Sequence, residues 1–183
     1  MNSLQGHLLI ASPKLRDPNF SRTVVLMVQH NEEGALGVVI NRPLETTIES
    51  AWDQVSENPC NAEGHLFQGG PCPGPLMVLH TDSEKSQIEV LDGIHFTTDK
   101  DTIEELVLLN GGPLKFVVNY AGWGPGQLEG ELEAGGWFTM KATADQVFGE
   151  TEALWPTVVR TAAREKLYPW LDPRLIPEDP TVN

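Results

Sequence analysis

Apolar residues recur at two different periods along this chain, and each change of period marks a boundary between elements. Residues 6–11, 23–30 and 35–40 are short, rich in β-branched side chains and separated by turn formers, Asp17-Pro18-Asn19 and Asn31-Glu32-Glu33-Gly34. Three strands are expected, the last two joined as a hairpin across residues 31–34. Val24, Leu26 and Val28 alternate with Val25, Met27 and Gln29, apolar on both sides for most of the length, as in a central strand covered on both faces. After Asn41-Arg42-Pro43 the period lengthens. Thr46 and Glu49 fit a capping box, and Ile48, Ala51, Trp52 and Val55 form one apolar stripe, predicting an amphipathic helix that ends before Pro59.

Strand-like runs return at 66–68, 76–80, 88–91 and 94–97. Residues 99–110 read as a helix carrying Ile103, Leu106 and Val107, stopped by Gly111-Gly112-Pro113. A strand is expected at 116–120, a tight glycine turn at 121–126, a helix at 127–133 and a last strand at 137–141. Helical signals resume at 143–148 and from Thr151, where Leu154, Val158, Val159 and Ala162 keep one face and Pro156 suits a first turn. Strands in consecutive runs disfavour a doubly wound parallel sheet and predict an α+β domain with a mostly antiparallel, curled sheet. One domain is expected over 1–170. Residues 171–183, with Pro173, Pro177 and Pro180 and almost no periodic apolar positions, are expected to be a Pro-rich mobile tail.

Charge narrows the partners. The chain has 183 residues, 12 basic and 26 acidic, for a net charge of −14. The excess is even: residues 1–91 carry 5 basic and 11 acidic (net −6), residues 92–183 carry 7 and 15 (net −8). Duplex nucleic acid and anionic lipid are therefore disfavoured, since both draw on clustered Lys and Arg. No signal peptide is expected, since Met1 is followed by a strand-like run without basic residues or a long apolar core, and the longest apolar run, Val24 to Val28, is far short of the roughly 18 residues of a membrane span. A soluble, cytoplasmic protein with no membrane role is expected. Cys60 and Cys72 form no C-x-x-C pair and have no local His at zinc-ligand spacing, so two free thiols are expected.

No chemical motif stands out. The turn Gly122-Trp123-Gly124-Pro125-Gly126 has the wrong glycine phase for a dinucleotide cradle, and Glu129, Glu131 and Glu133 occupy the region where a phosphate would sit. His7, His30, His65, His80 and His95 fall near strand ends but in no metal-ligand spacing. No metal or other cofactor is expected. There is no G-x-S-x-G elbow, and Cys72 in its Gly-Pro loop has no neighbouring cation to activate it. Arg16, Arg22 and Arg42 are notable because cations are scarce; gathered at one end of the sheet they could hold a carboxylate or phosphate.

The ordered set of motifs resembles a known family. Pro13-x-Leu15-x-Asp17-x-x-Phe20-x-Arg22-Thr23-Val24, His30, Gly34-Ala35-x-Gly37, Asn41-Arg42-Pro43, Gly69-Gly70-Pro71, His80 and the run Tyr120-Ala121-Gly122-Trp123-Gly124-Pro125-Gly126-Gln127-Leu128-Glu129 are similar to those of the AlgH/YqgE family of bacterial proteins, over about residues 4–165. The resemblance implies a bifurcated sheet folded into a pseudo-barrel with helices outside. It implies no established activity, only a transcriptional-regulator label taken from one member's link to alginate control. Three positions depart from the family pattern: Gln29 where an acidic residue is usual, Asn119 where glycine is frequent, and Cys72 where valine is common.

These readings together predict an uncharacterised, non-enzymatic protein, regulatory through contacts with a protein partner or a small anionic ligand. The expected contact surface is Arg22, His30, Asn41, Arg42, His80, Trp123 and Gln127. The alternative is a small hydrolase or ligand-binding enzyme in which a His is oriented by Gln127 or Glu129. Direct DNA binding ranks third, because no helix has a basic face.

Overall fold

The computed structural model of the protein describes residues 3–109 and 111–167. The expected tail, 171–183, lies outside the described residues. In chain order the elements are β1 (His7–Ala11), β2 (Val24–Asn31), β3 (Gly34–Val39), β4 (Pro43–Thr47), α1 (Ile48–Trp52), β5 (His65–Gln68), β6 (Cys72–His80), a 3-10 turn (Ser83–Lys85), β7 (Ile88–Leu91), β8 (Ile94–Thr97), α2 (Lys100–Leu109), β9 (Lys115–Trp123), α3 (Gln127–Glu133), β10 (Trp137–Lys141), α4 (Ala144–Phe148) and α5 (Leu154–Leu167).

The strands form one 10-stranded sheet in the order β10-β1-β2-β3-β9-β6-β8-β7, with β4 and β5 off this path. All pairings are antiparallel except β5 with β9. Strand β9 is where the sheet divides. Its C-terminal half pairs with β3, Ala121 to Trp123 against Gly37 to Ala35, while Val117 and Val118 pair with Phe67 and Gln68 of β5. Its other edge pairs with β6 along most of its length. Gly69 and Gly70 cross β9 at this fork: a Cβ on either would lie 2.2 to 2.3 Å from backbone atoms of Asn119 or Tyr120. The Gly-Gly-Pro motif is thus required by a close backbone crossing.

The sheet curls without closing. Gln5 Nε2, just before β1, donates to the carbonyl of Glu89 at 2.9 Å, bringing β1, second from one edge of the sheet, up to β7 at the other edge. The enclosed cluster draws on both ends: Leu8, Ile10, Leu26, Val28, Val38, Leu79, Val90, Ile94 and Val117, capped by Val147 of α4 and Val158 of α5. A second cluster lies outside β1, β2, β3 and the end of β9, where Leu128 of α3 packs with Trp123, Trp137 and Met27. A third lies outside β5, β6 and the start of β9, covered by Trp52 of α1 and Ile103, Leu106 and Val107 of α2. The expected α+β architecture with a bifurcated pseudo-barrel is the one observed.

Local departures have plain causes. Residues 43–47 form β4, and α1 starts later and is shorter than its apolar stripe suggests: Thr47, not Thr46, accepts from Ser50 N, and Val55 lies beyond the helix end, 62% exposed. Pro73 and Pro75 fall within β6, not in a loop, because the ladder to β9 is interrupted between Cys72 and Leu76 and needs no N–H there. The strand β9 runs through Gly122 and Trp123, which shortens the glycine turn to 124–126.

Candidate functional site

Two sequence motifs face each other outside β1 and β2. The first is the 13–22 loop. Asp17 Oδ1 accepts the Asn19 N–H at 2.8 Å, and the Asp17 carbonyl accepts from Phe20 and Ser21, which turns the chain tightly. Arg22 follows at φ 59, a left-handed conformation unusual for a side chain with a Cβ. Neighbours hold it there. Asn41 accepts from Val24 N at 2.8 Å and donates to the Arg22 carbonyl at 3.0 Å. The Arg42 guanidinium donates to the carbonyls of Pro18, Asn19 and Ser21. Burial lowers the Arg42 pKa, with Asp17 opposing the shift. The Arg22 guanidinium sits 5.0 Å over the ring of Trp155, on the α5 side. Asn41 and Arg42 therefore clamp the loop.

The second motif is the end of β9 with α3. Gln127 Oε1 accepts from Gly124 N at 3.1 Å and its Nε2 donates to Glu131 Oε1 at 3.0 Å. Glu131 Oε2 accepts both indole N–H groups, from Trp123 at 3.0 Å and from Trp137 at 2.8 Å. One carboxylate thus ties α3 to two strands. Phe20 of the loop lies 6.0 Å from Trp123, stacked, and 5.3 Å from Trp137, edge on. Between the walls is an open cleft of about 560 Å³, lined among others by Lys14, Arg16, Phe20, Trp123, Gln127 and Glu131. Lys14 and Arg16 make no hydrogen bond or ion pair with any of the described residues.

His30 lies under the same helix, 7% exposed. Its Nδ1 accepts the Leu4 N–H at 3.0 Å, so the proton is on Nε2, which donates to Glu129 Oε1 at 2.8 Å. The Glu129 carboxyl is held below its ordinary pKa by its own backbone N–H and then by His30. Both ring nitrogens are committed. The pair fastens the N-terminal segment to α3, and neither nitrogen is free to take a proton from a substrate.

The seven residues singled out from sequence do not gather in one place. Trp123 and Gln127 line the cleft, His30 lies behind it, and Asn41 and Arg42 brace its loop, while Arg22 faces α5. His80 is in the other half of the sheet, paired with His95, the ring centroids 5.7 Å apart. It is fully buried, and among the described residues neither ring nitrogen has a partner of hydrogen-bond geometry. Its pKa is lowered by burial first and then by His95; Asp82 opposes this through its charge and nearby backbone. Among the described residues no three His, Cys, Asp or Glu side chains come together as a metal site, and both cysteines are free. No described helix is long and apolar enough to cross a membrane.

Sequence reasoning left out Phe20, Glu131, Trp137 and Lys14 from the site. Gln127 and Glu131 at i, i+4 was the one available signal for the carboxylate. It also missed Lys115, which is buried, donates from Nζ to the Ile40 carbonyl at 2.9 Å and lies 4.1 Å from the Phe67 ring centroid. With no carboxylate among the described residues to balance it, burial lowers its pKa to about 8.

Comparison with known proteins agrees with this architecture. Residues 8–166 match the family described as AlgH-like. A UPF0301 protein of Chlorobaculum tepidum is 38% identical, with 93% of this chain and 92% of that protein aligned. One from Myxococcus xanthus is 41% identical, over 87% and 91%. The solution structure of the AlgH protein from Pseudomonas aeruginosa superposes with a TM-score of 0.75 at 30% identity, covering 93% of this chain and 96% of that one. A Corynebacterium diphtheriae protein of known crystal structure, 24% identical over 88% of each chain, shares the fold with a TM-score of 0.72. With the motifs, the divided sheet and these relatives in agreement, the chain belongs to the AlgH-like family.

Proposed function

We propose that this is a non-catalytic binding protein that takes a small anionic ligand with a flat apolar body into the cleft between the 13–22 loop and α3. The carrying observation is two uncommitted cations, Lys14 and Arg16, beside an aromatic wall of Phe20, Trp123 and Trp137. A carboxylate or phosphate would meet the cations, with Arg16 able to bind it through two N–H groups. A planar body would lie against the aromatic side, where ring contacts add roughly 0.5–1.5 kcal/mol beyond burial. Glu131 keeps its negative charge on the aromatic side, its oxygens hydrogen-bonded by three N–H groups, so the ligand's anion is expected at Lys14 and Arg16.

The hydrolase reading has less support, since His30 and Glu129 meet but both ring nitrogens are already bonded. The test is a calorimetric titration with 2-naphthoate and with its uncharged analogue 2-naphthamide. Saturable naphthoate binding is expected, about tenfold weaker for the amide and for the Lys14→Ala/Arg16→Ala variant. No binding by the folded protein, or equal affinity for acid and amide, would refute the reading.

A further inference from the structure

A second cavity, distant in sequence from the cleft, lies where β6 ends beneath the C-terminus of α2. It has a volume of about 210 Å³ and is lined by His80, Thr81, Asp82, Leu106, Leu109 and residues 111–114. Strand alternation places His80 on the same face as Val78, the face that Leu106 of α2 covers. His80 is therefore directed to the side of the sheet on which the cavity sits. It is 0% exposed, and neither Nδ1 nor Nε2 has a partner of full hydrogen-bond geometry among the described residues, the Asp82 backbone lying close by, although His95 beside it is served by Ser86 Oγ at 2.8 Å. A buried imidazole with both nitrogens unmatched is costly, on the order of 1–3 kcal/mol per group, and calls for a partner.

We propose that this cavity is a ligand site for a small primary ammonium with a short aliphatic body. Three features agree in sign. The C-terminal pole of α2 is negative, and no basic side chain stands in its last turn. The backbone N–H of Asn61 donates to the Val107 carbonyl and its neutral side-chain amide to the Leu108 carbonyl, so neither brings a cation to that pole. Asp82 contributes a carboxylate that makes one bond, to Glu84 N, and has further acceptor capacity. His80 offers a ring nitrogen as acceptor, and its lowered pKa keeps it in the neutral form that can accept. The other titratable groups acting on it are His95 and Lys85, and Lys85 is paired with Glu105. Leu106, Leu109 and Leu114 supply apolar wall for the aliphatic part. A carboxylate ligand would instead face Asp82 and the helix pole.

The experiment follows the imidazole nitrogen resonances of His80 by NMR during titration with 3-methylbutylamine hydrochloride, using 3-methylbutanol and 3-methylbutanoate as isosteric controls. The amine is expected to shift the His80 signals saturably, with the alcohol and the acid each at least about tenfold weaker. Two variants keep the result independent of the buried histidine. Asp82→Asn retains the side-chain oxygen that caps the 3-10 turn and should weaken the amine about tenfold. Leu109→Trp, at a position 65% exposed, should obstruct the cavity without disturbing the core. No saturable shift with the amine, equal response to the three isosteres, or unchanged affinity in both variants would each overturn the proposal.

Discussion

Asn119 shows how one residue carries both a family difference and a backbone requirement. It takes φ 63, and asparagine is the non-glycine residue that tolerates this region best. Its side chain also accepts from Gly74 N at 3.1 Å and donates to Gln68 at 3.3 Å, joining β5, β6 and β9 at the fork. Urea unfolding should place Asn119→Gly within about 1 kcal/mol of the parent and Asn119→Val about 2 kcal/mol lower. Lys115 gives a second residue-scale prediction. Its folded pKa of about 8 lies below the ordinary 10.5, so between these values the unfolded chain binds more protons and stability rises with pH. The contribution is complete above 10.5 and is lost as pH falls through about 8. The unfolding free energy should climb by up to about 3 kcal/mol across this window relative to Lys115→Met. A pH dependence identical in the two proteins would contradict the buried, unpaired placement. Neither residue was legible in sequence: Asn119 registered only as a departure, and a lysine heading a strand reads as solvated until tertiary packing covers it.

At the scale of elements, the sequence read the strands and helices well where burial is one-sided or complete, as in β2 and α2, because hydrophobic period follows burial directly. It failed where a third partner decides. Pro73 and Pro75 argue against a strand unless the interruption of the β6–β9 ladder is known, and the glycines of 121–126 suggest a turn unless β3 is seen pairing with them. The 13–22 loop is another such case. Its shape depends on Arg42, twenty residues downstream of its last residue, whose planar fork reaches three carbonyls at once. Lysine cannot match that geometry. Arg42→Lys should cost about 1–2 kcal/mol in thermal or urea unfolding and weaken ligand binding in the cleft, since Asp17, Asn19 and Phe20 line it. Unchanged stability and affinity in that variant would mean that the loop holds its shape without the clamp.

For the whole molecule, the divided sheet explains why the motif residues do not meet. At β9 the sheet divides, with β10, β1, β2 and β3 on one side and β6, β8 and β7 on the other, so His80 and the cleft belong to different branches, each with its own outer cluster and helical cover. Sequence order alone cannot show this, because the branch that a strand joins depends on pairing rather than on its own residues. The net charge of −14 takes on a more local meaning in three dimensions: two of the few cations stand beside one cleft with no partner among the described residues, while the other cavity is bordered by acceptors. The most direct test of the cleft as the binding site uses the indole N–H resonances of the five tryptophans during a titration with 2-naphthoate. Trp123 and Trp137, which share Glu131, should shift together and saturably, while Trp52, bonded to the Asn58 carbonyl in the other branch, should stay in place. Shifts confined to Trp52, with Trp123 and Trp137 unmoved at saturation, would contradict the account.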